Sequence, residues 1–138
     1  MTQEFLPHVG MEGQWSWVVG HEHSADALGN AGVMVLATPM VLDLMEIASV
    51  QAILPALPDD WISLGIHADL RHLQATPLGS RVHATSRVVQ VDGQKVTFQV
   101  AVFDEWEKVA EGTHTRYCLP RLEFDRRVAA KKVRPKPI

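Results

Sequence analysis

At 138 residues, 46% of them apolar and 21% charged, the chain has the length of one domain and a globular rather than a disordered composition. A formal net charge of -3 gives nucleic acid no overall attraction, and a single cysteine, Cys118, excludes an intrachain disulfide. The N-terminal residues lack the basic start and apolar core of a signal peptide, and no apolar run approaches the roughly 20 residues of a membrane span. The expectation is a cytoplasmic protein with no nucleic acid or membrane partner.

Gln14 to Val19 reads as a first strand with Trp15, Trp17 and Val19 on one face. Gly20 to Gly32 is rich in glycine and in His21, His23, Asp26 and Asn30, which reads as a loop able to cover a pocket. Thr38-Pro39 has the character of a helix start, with Thr38 as N-cap and Pro39 at the first helical position. The helix should run to about Leu54, ahead of Pro55. Its residues are apolar on nearly every side, as in a helix buried in a core, and Asp43 and Glu46 are its interior acids.

After a turn at Pro55 to Asp60 the pattern becomes strand-like. Trp61 to Leu73 and Gly79 to Val91 are two candidates, and Asp92-Gly93 marks a tight hairpin. The clearest alternation follows: Val96, Phe98, Val100 and Val102 on one face, with Thr97, Gln99 and Ala101 on the other. A turn over Asp104 to Lys108 leads to a last strand, Val109 to Leu119. One strand, a long helix and four further strands describe an α+β domain with an antiparallel sheet on one helix. A helix apolar all round needs cover on more than one side, which the curved sheet of a hotdog fold provides. Residues 1–125 form that domain. From Arg126 to the end a basic C-terminal tail reads as a solvated charge run, with an anionic contact as its other reading.

Three groups stand out for chemistry: Thr38, Glu46 and His72. A carboxylate inside an apolar helix is costly unless paired or neutralised. Glu46, flanked by Met45 and Ile47, is therefore either a paired core acid, an acid facing a dimer partner, or a catalytic group, with Asp43 as its competitor. Thr38 needs no role beyond capping, although a helix N-terminus also suits a developing oxyanion. His72 is readable as a surface strand residue. His67 and His72 fall on opposite strand faces, so they cannot chelate one metal together, and His21 and His23 find no third ligand. Nucleophile-elbow, phosphate-loop, dinucleotide and zinc-protease signatures are absent. His114 shares a strand face with Cys118, which is weak evidence for a pair. Thr38 and Glu46 lie eight residues apart, about 12 Å along one helix, too far to meet one reacting atom. Two helices from two protomers would bring Thr38 of one to Glu46 of the other.

Six blocks carry a resemblance: Val35-Leu-Ala-Thr-Pro-Met-Val-Leu-Asp-Leu-Met-Glu46, Leu64-Gly65 to His72, Ala75-Thr-Pro-Leu-Gly79, Val91-Asp-Gly, Val96-Thr-Phe-Gln-Val100 and Glu111-Gly-Thr-His114. Together they resemble the hotdog-fold thioesterases related to fluoroacetyl-CoA thioesterase, from about Trp15 to Val128. The resemblance implies a homodimer, with pairing into tetramers left open, that hydrolyses a small acyl-CoA and needs no cofactor beyond the coenzyme A of its substrate. By position it implies Thr38, Glu46 and His72 as the catalytic set. Glu46 would be base or nucleophile, with Thr38 and His72 orienting and polarising, and Gly65 and Pro39 would contact substrate. The segment from Gly20 to Met34 holds no Phe and looks shorter than the phenylalanine-bearing lid of the fluoroacetyl enzyme, so the fluorinated substrate does not carry over. The alternatives are a hotdog protein that binds acyl-CoA or another hydrophobic small molecule without turnover, and a related lyase or hydratase.

Overall fold

The computed structural model describes residues 5–137. Its element order is β1 (Glu12–Val18), α1 (Thr38–Ile53), β2 (Trp61–His72), β3 (Arg81–Asp92), β4 (Lys95–Phe103), β5 (Lys108–Pro120) and α2 (Arg121–Lys132). The five strands form one antiparallel sheet in the order β1-β3-β4-β5-β2, with β1 and β2 at its edges. The sheet packs on α1, giving the expected hotdog arrangement.

The alternating pattern of β4 does what half-burial requires. Val96, Phe98, Val100 and Val102 are buried, whereas Gln99 is exposed. Val82, Ala84 and Val88 of β3 meet the same core, as do Val109 and Ala110 of β5. From α1 come Val41, Leu44, Met45, Ala48, Ala52 and Ile53. Burying a Leu, Met, Ile or Phe side chain is worth about 1.5–3 kcal/mol each, so this cluster is the main source of stability. Gly13 lies where β1 crosses α1. A Cβ there would run into the Ala48 carbonyl and the Ala52 backbone, so only glycine lets the helix settle on the strand.

Several expectations shift by local physics. β1 starts at Glu12 rather than Gln14 and ends at Val18, while Trp15 and Trp17 share one face as expected, opposite Ala84 and Val82. β3 starts at Arg81 because Gly79, at φ 90°, turns the chain first. In the loop, His21–His23 forms a short 3-10 turn. Beyond it, Asp26 binds both the Gly32 N–H (2.8 Å) and His21 Nε2 (2.8 Å), so the loop is tied to itself.

Thr38 is not the N-cap. Ala37 takes that place with extended dihedrals, Thr38 is the first helical residue and Pro39 the second. Asp43 is exposed rather than interior, and the helix side bearing Leu42, Ile47 and Val50 is only half-buried. With its 3-10 extension the helix runs Thr38–Ala56, 19 residues, long and apolar enough to cross a membrane by length and composition. That exceeds the expectation from apolar runs, yet here the helix is the one the sheet packs on. The basic segment is helical as far as Lys132, so α2 runs through the 125/126 boundary, with none of its residues buried.

Candidate active site

Two polar clusters form where α1 meets β2 and β5. The first is at the helix N-terminus. Thr38 Oγ1 and His72 Nδ1 are 2.8 Å apart, joining the first helical residue to the last residue of β2. The hydroxyl that a local rule assigns to the helix backbone is held instead by a tertiary partner. Thr38 is exposed. Its N–H belongs to the first turn, outside the helix's own ladder, at the positive end of the dipole. His72 Nε2 is buried with no hydrogen-bond partner among the described residues. Burial pulls the His72 pKa below its usual value, against a weaker pull upward from the Gln74 backbone, so the ring is neutral near pH 7.

The second cluster surrounds Glu46, two helical turns further on. Arg116 Nη1 donates to Glu46 Oε2 at 3.2 Å, and the same nitrogen lies 3.1 Å from His114 Nε2. Arg116 Nε donates to Ser63 Oγ at 2.8 Å, and Nη2 to the Ser63 carbonyl at 2.9 Å. The guanidinium is thus fixed from three sides and buried at its strand, while the Glu46 side chain keeps 39% exposure. A carboxylate held by a buried cation, yet open to solvent, is paired without being sealed.

Gly65 lies against this cluster. A Cβ there would stand 3.1 Å from His114 Cε1, 3.2 Å from Glu46 Oε2 and 3.4 Å from Arg116 Nη1. The missing side chain leaves a notch lined by acid, cation and imidazole. A bulge between Gly65 and His67 in β2 turns Gly65 to this side.

Of the expected residues, the structure joins Thr38 with His72 and places Gly65 against Glu46. No bond links Glu46 to Thr38 or His72 in one chain. Pro39 is exposed at the helix start, and Asp43 takes no part. His67 and His72 fall on opposite faces, opposite Thr115 and Ala110. His114 belongs to Arg116 and Glu46 rather than to Cys118, whose thiol is pushed up to about 11 by burial. Sequence reasoning passed over Arg116 and Ser63. For Arg116 the signal was strand parity, because His114, Arg116 and Cys118 share the buried face of β5. Among the described residues no three His, Cys, Asp or Glu side chains gather as a metal set. A cleft of about 820 Å³, lined by Gln14, Thr85, Arg87, Gln99 and Glu111 among others, holds none of the candidates.

Comparison with known proteins identifies the family and the fold. Residues 19–122 match the family model described as fluoroacetyl-CoA-specific thioesterase. The fluoroacetyl-CoA thioesterase of Streptantibioticus cattleyicolor is 33% identical over 97 residues, 70% of each chain. A solved structure of the fluoroacetyl-CoA thioesterase superposes with a TM-score of 0.84 at 28% identity, covering 94% of this chain and 98% of that one. A Thermus thermophilus thioesterase superfamily member of otherwise hypothetical role gives 0.85 at 26% identity, with 91% and 93% covered. A hot-dog-like protein from Thermanaerovibrio acidaminovorans gives 0.83 at 22% identity, over 93% and 94%, and speaks to the fold alone.

Proposed function

The chain belongs to the fluoroacetyl-CoA-specific thioesterase family and is a thioester hydrolase, and we propose that it cleaves a small acyl-CoA to the free acid and coenzyme A in a site shared by two protomers. The observation that carries this reading is the open Glu46 carboxylate, held by Arg116 and facing the Gly65 notch. A thioester needs little help to break. Its thiol leaves with a pKa of about 8.5 on the cysteine scale, so a positioned base or nucleophile and an oxyanion donor supply most of what is required. Glu46 is the base or nucleophile. Through water, it takes one proton as the oxygen adds to the carbonyl carbon, and the C–S bond breaks to release the thiolate. By direct attack, the acyl group passes to the carboxylate and water then frees it. A general base contributes roughly 10² to 10⁴ in rate.

Thr38 and His72 are the oxyanion and orienting groups, at a helix N-terminus whose dipole favours developing negative charge. In one chain they stand two turns from Glu46, which supports a homodimer in which Glu46 works with Thr38 of the partner subunit and His72 of the partner subunit. The fold supports the same pairing. β2 is a 12-residue edge strand whose Gly65 to Asp69 are all exposed, with Ile66 at 51%, and a long bare edge is one that proteins cover. The segment Gly20 to Met34 lacks Phe, so the acyl group is not tied to fluoroacetate.

Thiol release from short, branched and aromatic acyl-CoAs tests the reading, with Glu46→Gln as matched control. Turnover that falls by about 10² or more in a folded Glu46→Gln protein supports it. Saturable acyl-CoA affinity without thiol release in the wild type would replace it with a binding role, and loss of enoyl absorbance without thiol with a hydratase.

A further inference from the structure

The two nitrogens of His114 face partners of fixed character. Nδ1 lies 2.8 Å from the His67 backbone carbonyl, which can only accept, so Nδ1 carries a proton. Nε2 lies 3.1 Å from Arg116 Nη1, which can only donate, so Nε2 offers its lone pair. The two constraints select one neutral tautomer. An imidazolium would set an N–H against the guanidinium N–H and a positive charge beside another.

The surroundings reinforce that form. His114 is 2% exposed and stacks on Phe98 at a centroid distance of 6.2 Å. Burial lowers its pKa most, opposed by the His67 carbonyl. Arg116 from β5 and His67 from β2 add to the lowering, and Glu46 from α1 acts against it. A neutral acceptor at this point leads Arg116 Nη1 to divide its two protons between His114 and Glu46. Ser63 holds the other side of the guanidinium through Nε and Nη2, which leaves Nη1 to His114 and Glu46.

We propose that His114 is a positioning residue for hydrolysis, whose unprotonated Nε2 sets the Arg116 guanidinium so that Nη1 holds the Glu46 carboxylate over the Gly65 notch. It touches no reacting atom and acts through Arg116. The proposal rests on the thioesterase reading for its consequence in turnover, and on geometry alone for its effect on Arg116.

Two substitutions separate this role from packing. His114→Phe keeps a flat ring against Phe98 and removes the acceptor. His114→Gln places an amide oxygen near the Nε2 position, keeps an acceptor for Arg116 and cannot be protonated. The expected result on the full chain is a kcat about 10-fold lower for His114→Phe with KM within about 2-fold, and rescue by His114→Gln to within about 3-fold of wild type. Equal kcat losses in both variants would overturn the proposal, since packing alone would then matter. Crystal structures of the two variants give a second reading that needs no turnover. Arg116 Nη1 should leave Glu46 in His114→Phe and stay in His114→Gln. A guanidinium unmoved in His114→Phe overturns the proposal whatever the kinetics. Absence of thiol release in the wild type overturns only the thioesterase reading.

Discussion

Gly65 and His72 lie on the same face of β2 although seven residues separate them. In a regular strand an odd spacing puts two residues on opposite faces. The bulge between Gly65 and His67 inserts one residue, so Gly65 opposes Arg116 while His67 opposes Thr115. Beyond the bulge the parity is reversed, and His72 opposes Ala110 on the helix side. One inserted residue, Ile66, thus lets a single strand present a notch to Glu46 and an imidazole to Thr38.

The notch tolerates little. In Gly65→Ala the new methyl would stand 3.1–3.4 Å from His114, Glu46 and Arg116, so these groups must give by a few tenths of an ångström. The Glu46 carboxylate is the end of a flexible side chain and yields first. The expected stability change is small, within about 1 kcal/mol, since a strand also gains from losing a glycine. The expected kcat/KM falls about 10-fold or more, because the carboxylate is displaced from its working position. Urea unfolding with steady-state kinetics on the same sample checks both; an unchanged kcat/KM would show that substrate does not use the notch.

Much of this site was legible in the sequence, and what was hidden has physical reasons. The β4 alternation is readable because a half-buried strand has period two. Glu46 is readable because an acid among Met45, Ile47 and Ala48 must have a partner. The placement of Thr38 at the helix start is legible, but its bond to His72 is not, since the local capping preference is strong and the partner is 34 residues away on a strand. The bulge at Ile66 depends on the register with β5, which no single segment specifies. Arg116 was within reach: an inward arginine on the strand that also turns His114 inward needs an anion, and Glu46 was the acid still without a partner. The helix α2 was hidden by its charge, although Leu, Glu, Arg, Ala and Lys are all good helix formers.

Acid should destabilise the fold through its buried histidines. Both His72 and His114 have pKa values lowered from 6.5, chiefly by burial. Between the folded and unfolded values the unfolded chain binds more protons, so stability is lost as pH falls. Their contribution is complete above about pH 6.5 and declines below it. Urea midpoints from pH 8 to pH 5 should drop below that point for the wild type. In His114→Gln the drop should be shallower, and an equal drop would mean His114 does not titrate across unfolding.

Cys118 should be inert in the native protein. Its thiol is buried at 0% exposure and pushed up to about 11, so the reactive thiolate is scarce at neutral pH. An aromatic disulfide reagent should titrate no thiol in buffer and one per chain in denaturant. Rapid native labelling would show that β5 opens locally. The same inertness keeps the protein's own sulfur out of any assay that counts released coenzyme A.

A site divided between protomers makes a prediction that a site within one chain does not. Glu46→Gln retains Thr38 and His72, and His72→Ala retains Glu46. In a two-fold dimer each site takes Glu46 from one protomer and the Thr38–His72 pair from the other. A hybrid of the two variants therefore holds one doubly defective site and one with every group intact. Each variant alone should be nearly inactive. After co-refolding an equal mixture, half of the dimers should be hybrids, so activity should return to about one quarter of wild type by random pairing. The gain should follow the hybrid fraction measured by native mass spectrometry. Hybrid dimers with no recovered activity would place all the reacting groups within a single chain.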